Sequence, residues 1–163
     1  MIKKLRHLTL FFLILLRSPS IQLEGLDFVF QLILEDKDTS WQYTLGRLTA
    51  LDYLMSKGCQ VGFQHLWLAL EFTFQNLSNG HSRVAKIAFK VFIAASKMLT
   101  MMEPMAFDQI WNLTLTLNPT LQLLLRKKLK ATIMMLPPIV FESVRSILDG
   151  QNDGLSPINH QNR

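Results

Sequence analysis

Side-chain catalysis needs ionisable or nucleophilic groups at spacings that let them converge, and this chain is poor in such sets. Its four histidines, His7, His65, His81 and His160, are scattered without metal-ligand spacing. The acids Asp36, Asp38, Glu71, Glu103, Asp108 and Glu142 form no pair arranged for general acid and base work. There is no glycine-rich phosphate loop, H-E-x-x-H motif or nucleophile elbow. Cys59 stands alone, so it forms neither an internal disulfide nor a paired-thiol site, and reads as a reduced thiol on a loop. His65, in a strongly apolar stretch, reads as a hydrogen-bonded interior residue. The expectation is a protein that is not an enzyme and holds no cofactor or metal.

What remains is the chemistry of recognition. A net charge of +5 arises from 17 Lys and Arg against 12 Asp and Glu, and it is unevenly placed. Met1 to Arg17 carries Lys3, Lys4, Arg6 and Arg17 with no acid, and Arg126, Lys127, Lys128 and Lys130 form a second cluster. Such a balance favours acidic partners, although a single basic cluster is also what a solvated helix face looks like. We expect a protein partner and no nucleic acid.

The elements that must position these residues are helices. Three stretches read alike, Asp36 to Leu54, Ser78 to Ala95 and Leu117 to Leu136, each a polar turn with a helix-starting residue followed by an amphipathic run. Their starts, Ser40, Ser82 and Asn118, recur at the interval of two-helix solenoid repeats. In the first, Trp41, Leu45, Leu48, Leu51 and Met55 form the apolar stripe and Gln42, Arg47 and Asp52 face solvent, which also makes Trp41 a candidate core anchor. Gln60 to Leu77 is apolar almost all round and should be central. Val84, Ile87, Ala88, Val91, Phe92 and Ala95 make the clearest stripe. A fifth helix runs from about Glu103 to Leu117 with Pro104 in its first turn. In the sixth, Leu121, Leu125, Leu129, Thr132, Ile133 and Leu136 face inward and Arg126, Lys127 and Lys130 outward. Pro137-Pro138 ends it, and a short helix to Leu148 follows. No segment alternates as a half-buried strand does.

An apolar helix, a short polar loop and a capped helix with a Val or Leu stripe resemble HEAT repeats. The fold class expected is all-α, an α-solenoid of about three HEAT-like helix pairs plus terminal helices. Within that class the loops are similar to those of TOG domains, the tubulin-binding HEAT arrays of the CLASP and microtubule-polymerase type. The resemblance rests on Asp38 with Trp41 and Arg47-Leu48-Thr49-Ala50-Leu51, on Leu77 to Ala85 (LSNGHSRVA), and on the capped turn Leu117-Asn118-Pro119-Thr120. It implies that successive loops line one edge, with Lys37, Trp41, His81 and Arg83 in a row as the partner-binding residues and tubulin as the partner. It also implies a cytoplasmic or cytoskeletal protein. The bland alternatives are His81 as a turn residue, Arg83 as a solvated charge, and a regulatory scaffold segment with no affinity for tubulin.

The ends read differently. Residues 1–20 form an apolar N-terminal segment, basic to His7 and then apolar from Leu8 to Leu16, in the outline of a secretory signal or of a buried helix. Nine apolar residues are too few to span a bilayer. A secreted or membrane-associated helical protein is the third reading, with Asn76-Leu77-Ser78 and Asn112-Leu113-Thr114 as glycan acceptors. Residues 21–149 form the repeat domain, and 150–163 a polar tail expected to be disordered.

Overall fold

A computed structural model describes residues 24–35, 37–58 and 61–150. The expectations for residues 1–20, for Cys59 and for the tail beyond Gly150 lie outside the described residues. Those described form seven α-helices and one 3-10 turn, with no strand among them. The chain divides between Leu99 and Thr100 into two compact units.

The first unit contains α1 (Glu24–Glu35), α2 (Trp41–Ser56), α3 (Phe63–Asn76) and most of α4 (Ser82–Met102). Its core is assembled from helical stripes: Val29, Phe30 and Ile33 of α1, Leu48, Leu51 and Leu54 of α2, and Leu66, Ala69 and Leu70 of α3. Val84, Ala88, Val91, Phe92, Ala95 and Leu99 bury the α4 stripe, as its spacing requires. Helix α1 packs against both α2 and α3. Helix α2 stops where Gly58 takes a φ of 68°, a left-handed conformation that a Cβ would strain, while its N–H donates to the Met55 carbonyl. Helix α3 is less enclosed than its composition implies, because Phe63 and Leu68 are exposed.

Two helix entries differ from the capping expected of them. Ser40 occupies the N-cap of α2, but its side chain makes no capping hydrogen bond; its N–H instead donates to the Asp38 carboxylate over 2.9 Å. Ser82 is the first residue of α4 rather than its cap, and in the connection before it the His81 N–H donates to the Asn79 side chain over 2.9 Å. Both loops thus use an Asp or Asn side chain to bind the backbone two residues on, a turn that competes successfully with side-chain capping.

The second unit holds α5 (Ala106–Leu113), a 3-10 turn (Thr114–Thr116), α6 (Pro119–Met134) and α7 (Pro138–Gly150). Helix α5 is shorter at both ends than predicted. Glu103 to Met105 form a tight turn in which the Ala106 N–H reaches the Glu103 carbonyl, so Pro104 precedes the helix. At the other end the hydroxyls of Thr114 and Thr116 donate to the Trp111 and Leu113 carbonyls, and the helix tightens and ends. Asn118 caps α6 as expected, its side chain accepting the Leu121 N–H over 2.9 Å with Pro119 at the first position. Phe107, Ile110 and Trp111, Leu125, Leu129 and Ile133, and Val144 and Leu148 form the core, with α7 against both α5 and α6.

Candidate partner-binding edge

Four side chains were expected to share one edge, and the structure brings two of them into direct contact. Trp41, the first residue of α2, and His81, just before α4, stack with ring centroids 3.8 Å apart and planes 8° from parallel. Trp41 remains 40% exposed, so it is no core anchor. A residue in the first turn has no helical turn before it, and the packed face of α2 begins further in, with Tyr43 and Thr44. The indole is covered in part by the His81 ring and remains partly open to solvent.

The loops that carry the stack are stiffened by their own hydrogen bonds. The Asn76 amide donates to the Phe72 carbonyl, the Asn79 amide donates to the Asn76 side chain, and Asn79 in turn accepts from the His81 N–H. The Ala85 N–H closes the first turn of α4 onto the His81 carbonyl over 3.1 Å. His81 is therefore fixed at both backbone groups. Nδ1 of His81 is buried without a hydrogen-bond partner among the described residues, and the ring lies against the Trp41 indole.

Lys37 and Arg83 flank the pair along the chain, Lys37 in the connection that leads to Trp41 and Arg83 two residues past His81. Both are exposed. Trp41 is thus exposed and His81 half-buried, and each of the two stretches of chain also carries an exposed cation.

Arg47 lies elsewhere than its place in the pattern indicated. It is only 8% exposed and turns inward from α2, donating to the carbonyls of Ile33 and, over 3.0 Å, Leu34 in the last turn of α1. Its guanidinium lies over the Phe72 ring, 4.0 Å from the centroid. Carbonyls in a last helical turn lack partners within the helix, and a buried cation satisfies them and favours the negative end of the dipole. Arg126, also expected outside, does the same in the second unit. From α6 it donates to the Thr114 hydroxyl over 2.6 Å and to the Trp111 carbonyl over 3.3 Å, with its guanidinium 4.5 Å from the Trp111 centroid. Burial pushes this group below the ordinary arginine value, while an arginine remains charged in the physiological range. Sequence reasoning missed both, together with the Asp38 and Asn79 turns; the available signal was an Asp or Asn two residues before a helix entry and an arginine about two turns inside it.

Acid, base and metal chemistry has no comparable assembly. Among the described residues no three His, Cys, Asp or Glu side chains converge to hold a metal ion. His65 approaches Asp27 at 3.5 Å on a partly exposed surface rather than in the interior. No described helix is long and apolar enough to cross a membrane.

The described residues thus form an all-helical fold in which Trp41 and His81 join two helix entries. Comparison with known proteins finds similarity to mitogen-activated protein kinase kinase kinase 1 of Homo sapiens, 24% identical over 161 residues, covering 85% of this chain and 11% of the kinase. The Mus musculus and Rattus norvegicus proteins of the same name are each 23% identical, over 88% and 85% of this chain. The chain thus spans about a tenth of the length of the curated relatives it matches. No protein-family model matches it, and no solved structure matches it.

Proposed function

We propose that this chain is a non-catalytic protein-binding segment, a stack of about three HEAT-like helix pairs that binds tubulin through the edge bearing Lys37, Trp41, His81 and Arg83. The observation that carries the reading is the stack of the exposed Trp41 on His81, which joins two loops that each also carry an exposed cation, Lys37 in one and Arg83 just past the other. Exposed aromatics fixed in position make strong anchors, because little side-chain freedom is lost on binding. The recurrence of Asx turns at two helix entries and of an inward arginine in two helix pairs supports a repeat. The tubulin assignment rests on the resemblance of the loops to TOG domains and on net charge, and a cytoplasmic, cytoskeletal location accompanies it.

The likeness to a protein kinase does not favour catalysis. The chain has no glycine-rich loop, H-R-D or D-F-G sequence, and no described strand to carry a phosphate-binding lysine. A binding segment within a longer signalling protein accommodates both the likeness and the missing motifs.

The test is size-exclusion chromatography of the full chain with soluble tubulin at low and physiological salt, beside Trp41→Ala and Arg83→Glu. Trp41→Ala should weaken co-elution roughly thirtyfold, corresponding to an anchor worth about 2 kcal/mol. Arg83→Glu should weaken it most at low salt. Absence of co-elution at either salt would exclude tubulin as the partner.

A further inference from the structure

The outward face of α6 carries apolar and basic side chains in an order the loop edge does not use. Leu123 is 70% exposed and Met135, which caps the helix, 85%. Leu124 and Met134 are also exposed, and Ile139, in the first turn of α7, is 81% exposed. At 100° per residue these fall into two strips, Leu123 with Met134 and Leu124 with Met135. Lys127 stands between the strips, and Lys130 and Lys128 lie at their outer margins, all three exposed. Helix α6 contains no acid. The opposite face, through Leu125, Leu129 and Ile133, is already buried in the unit's own core.

We propose that this face docks an acidic amphipathic helix of a partner protein, with apolar side chains seated in the two strips and a carboxylate over Lys127. Charge selects this occupant. A second copy would set lysines against lysines, and residues 1–17 carry four cations and no acid. Residues 151–163 balance one acid with one arginine and offer no negative surface. An anionic bilayer would attract the lysines, but insertion needs a continuous apolar face, and Lys127 divides this one. A helix laid in a groove needs only separated anchors and a matching charge.

The test uses the full chain and a fluorescent synthetic helical peptide as long as α6, with Leu at every third or fourth position and Glu elsewhere. Controls are a scrambled peptide of the same composition and phosphatidylserine vesicles. The patterned peptide should bind at least about tenfold more tightly than the scrambled one, and Lys127→Gln and Leu124→Gln should each weaken binding about tenfold. Both substituted residues are exposed, so circular dichroism should be unchanged, and Trp41→Ala should have no effect on this binding. Equal affinity for the scrambled peptide, insensitivity to both substitutions, or binding to vesicles without binding to the peptide would overturn the proposal.

Discussion

Replacing Arg47 by alanine removes the guanidinium that both satisfies last-turn carbonyls of α1 and covers Phe72. A hydrogen bond from a charged donor contributes about 1.5–3 kcal/mol, and leaving a buried acceptor unpaired costs about 1–3 kcal/mol. Ile33 is fully buried, so its carbonyl has no ready access to water. The cation over the ring adds about 0.5–2 kcal/mol, and the alkyl stem is lost with it. These contributions share one side chain and do not add in full, which places Arg47→Ala at about 3–4 kcal/mol of destabilisation. Arg47→Lys keeps a charge but loses the planar fork, and should cost about 2 kcal/mol. Both are large against a typical total of about 5–15 kcal/mol. Urea unfolding followed by far-ultraviolet circular dichroism is the assay. With a slope near 2 kcal/mol/M, the alanine midpoint should fall by about 1.5–2 M. Arg83→Ala, an exposed arginine, is the control and should change stability by no more than about 0.5 kcal/mol. A loss below about 1 kcal/mol for Arg47→Ala would refute the assignment of Arg47 as a structural clamp between α1, α2 and α3.

Two further substitutions probe the second unit. Arg126→Ala should cost about 2–3 kcal/mol, less than Arg47→Ala because the side chain is only half-buried, and should alter Trp111 fluorescence by uncovering the indole. Asn118→Ala removes the side-chain acceptor of the Leu121 N–H and should cost about 1 kcal/mol in the same unfolding assay, whereas Asn118→Ser should be close to neutral.

Much of the helical order was legible because its punctuation is local. Asn118-Pro119, Gly58 and Pro137-Pro138 act through backbone geometry that no distant residue needs to supply, and the elements begin or end at them. The α4 stripe was legible for a related reason: of the six apolar residues picked out at helical spacing, Val84, Ala88, Val91, Phe92 and Ala95 are buried and Ile87 is half-buried. The failures involve side chains whose placement is settled by other elements. Periodicity set Trp41 on the buried stripe and Arg47 on the exposed one, and the structure reverses both. A stripe is an average over a helix; it cannot show that the first turn of α2 projects past its packing partners, or that α1 ends nearby with carbonyls needing a donor. The stack of Trp41 on His81 was half legible. Both residues were picked out as belonging to one edge, but contact across 40 positions of chain depends on how α2 and α4 are placed, which no local motif encodes.

The two inward arginines bear on how the chain came by its helical pairs. Arg47 and Arg126 lie about two turns into α2 and α6, reach back to the end of the preceding helix, and cover an aromatic ring. The aromatic differs, Phe72 from a third helix in one case and Trp111 from the preceding helix itself in the other, so the shared feature is the junction rather than the surrounding core. Helix α4 lacks that arginine. At the corresponding depth it carries Ala88 and Phe89; Lys90, next along, reaches outward to Asp52 of α2 over 3.0 Å in an exposed ion pair of little energetic weight. Helix α4 instead has a long buried apolar stripe, Val84, Ala88, Val91, Phe92, Ala95 and Leu99. The same architectural need, holding a returning helix against the one before it, is thus met with a buried cation in α2 and α6 and without one in α4. Arg83, in the first turn of α4, is too near the helix start to take that place and is exposed.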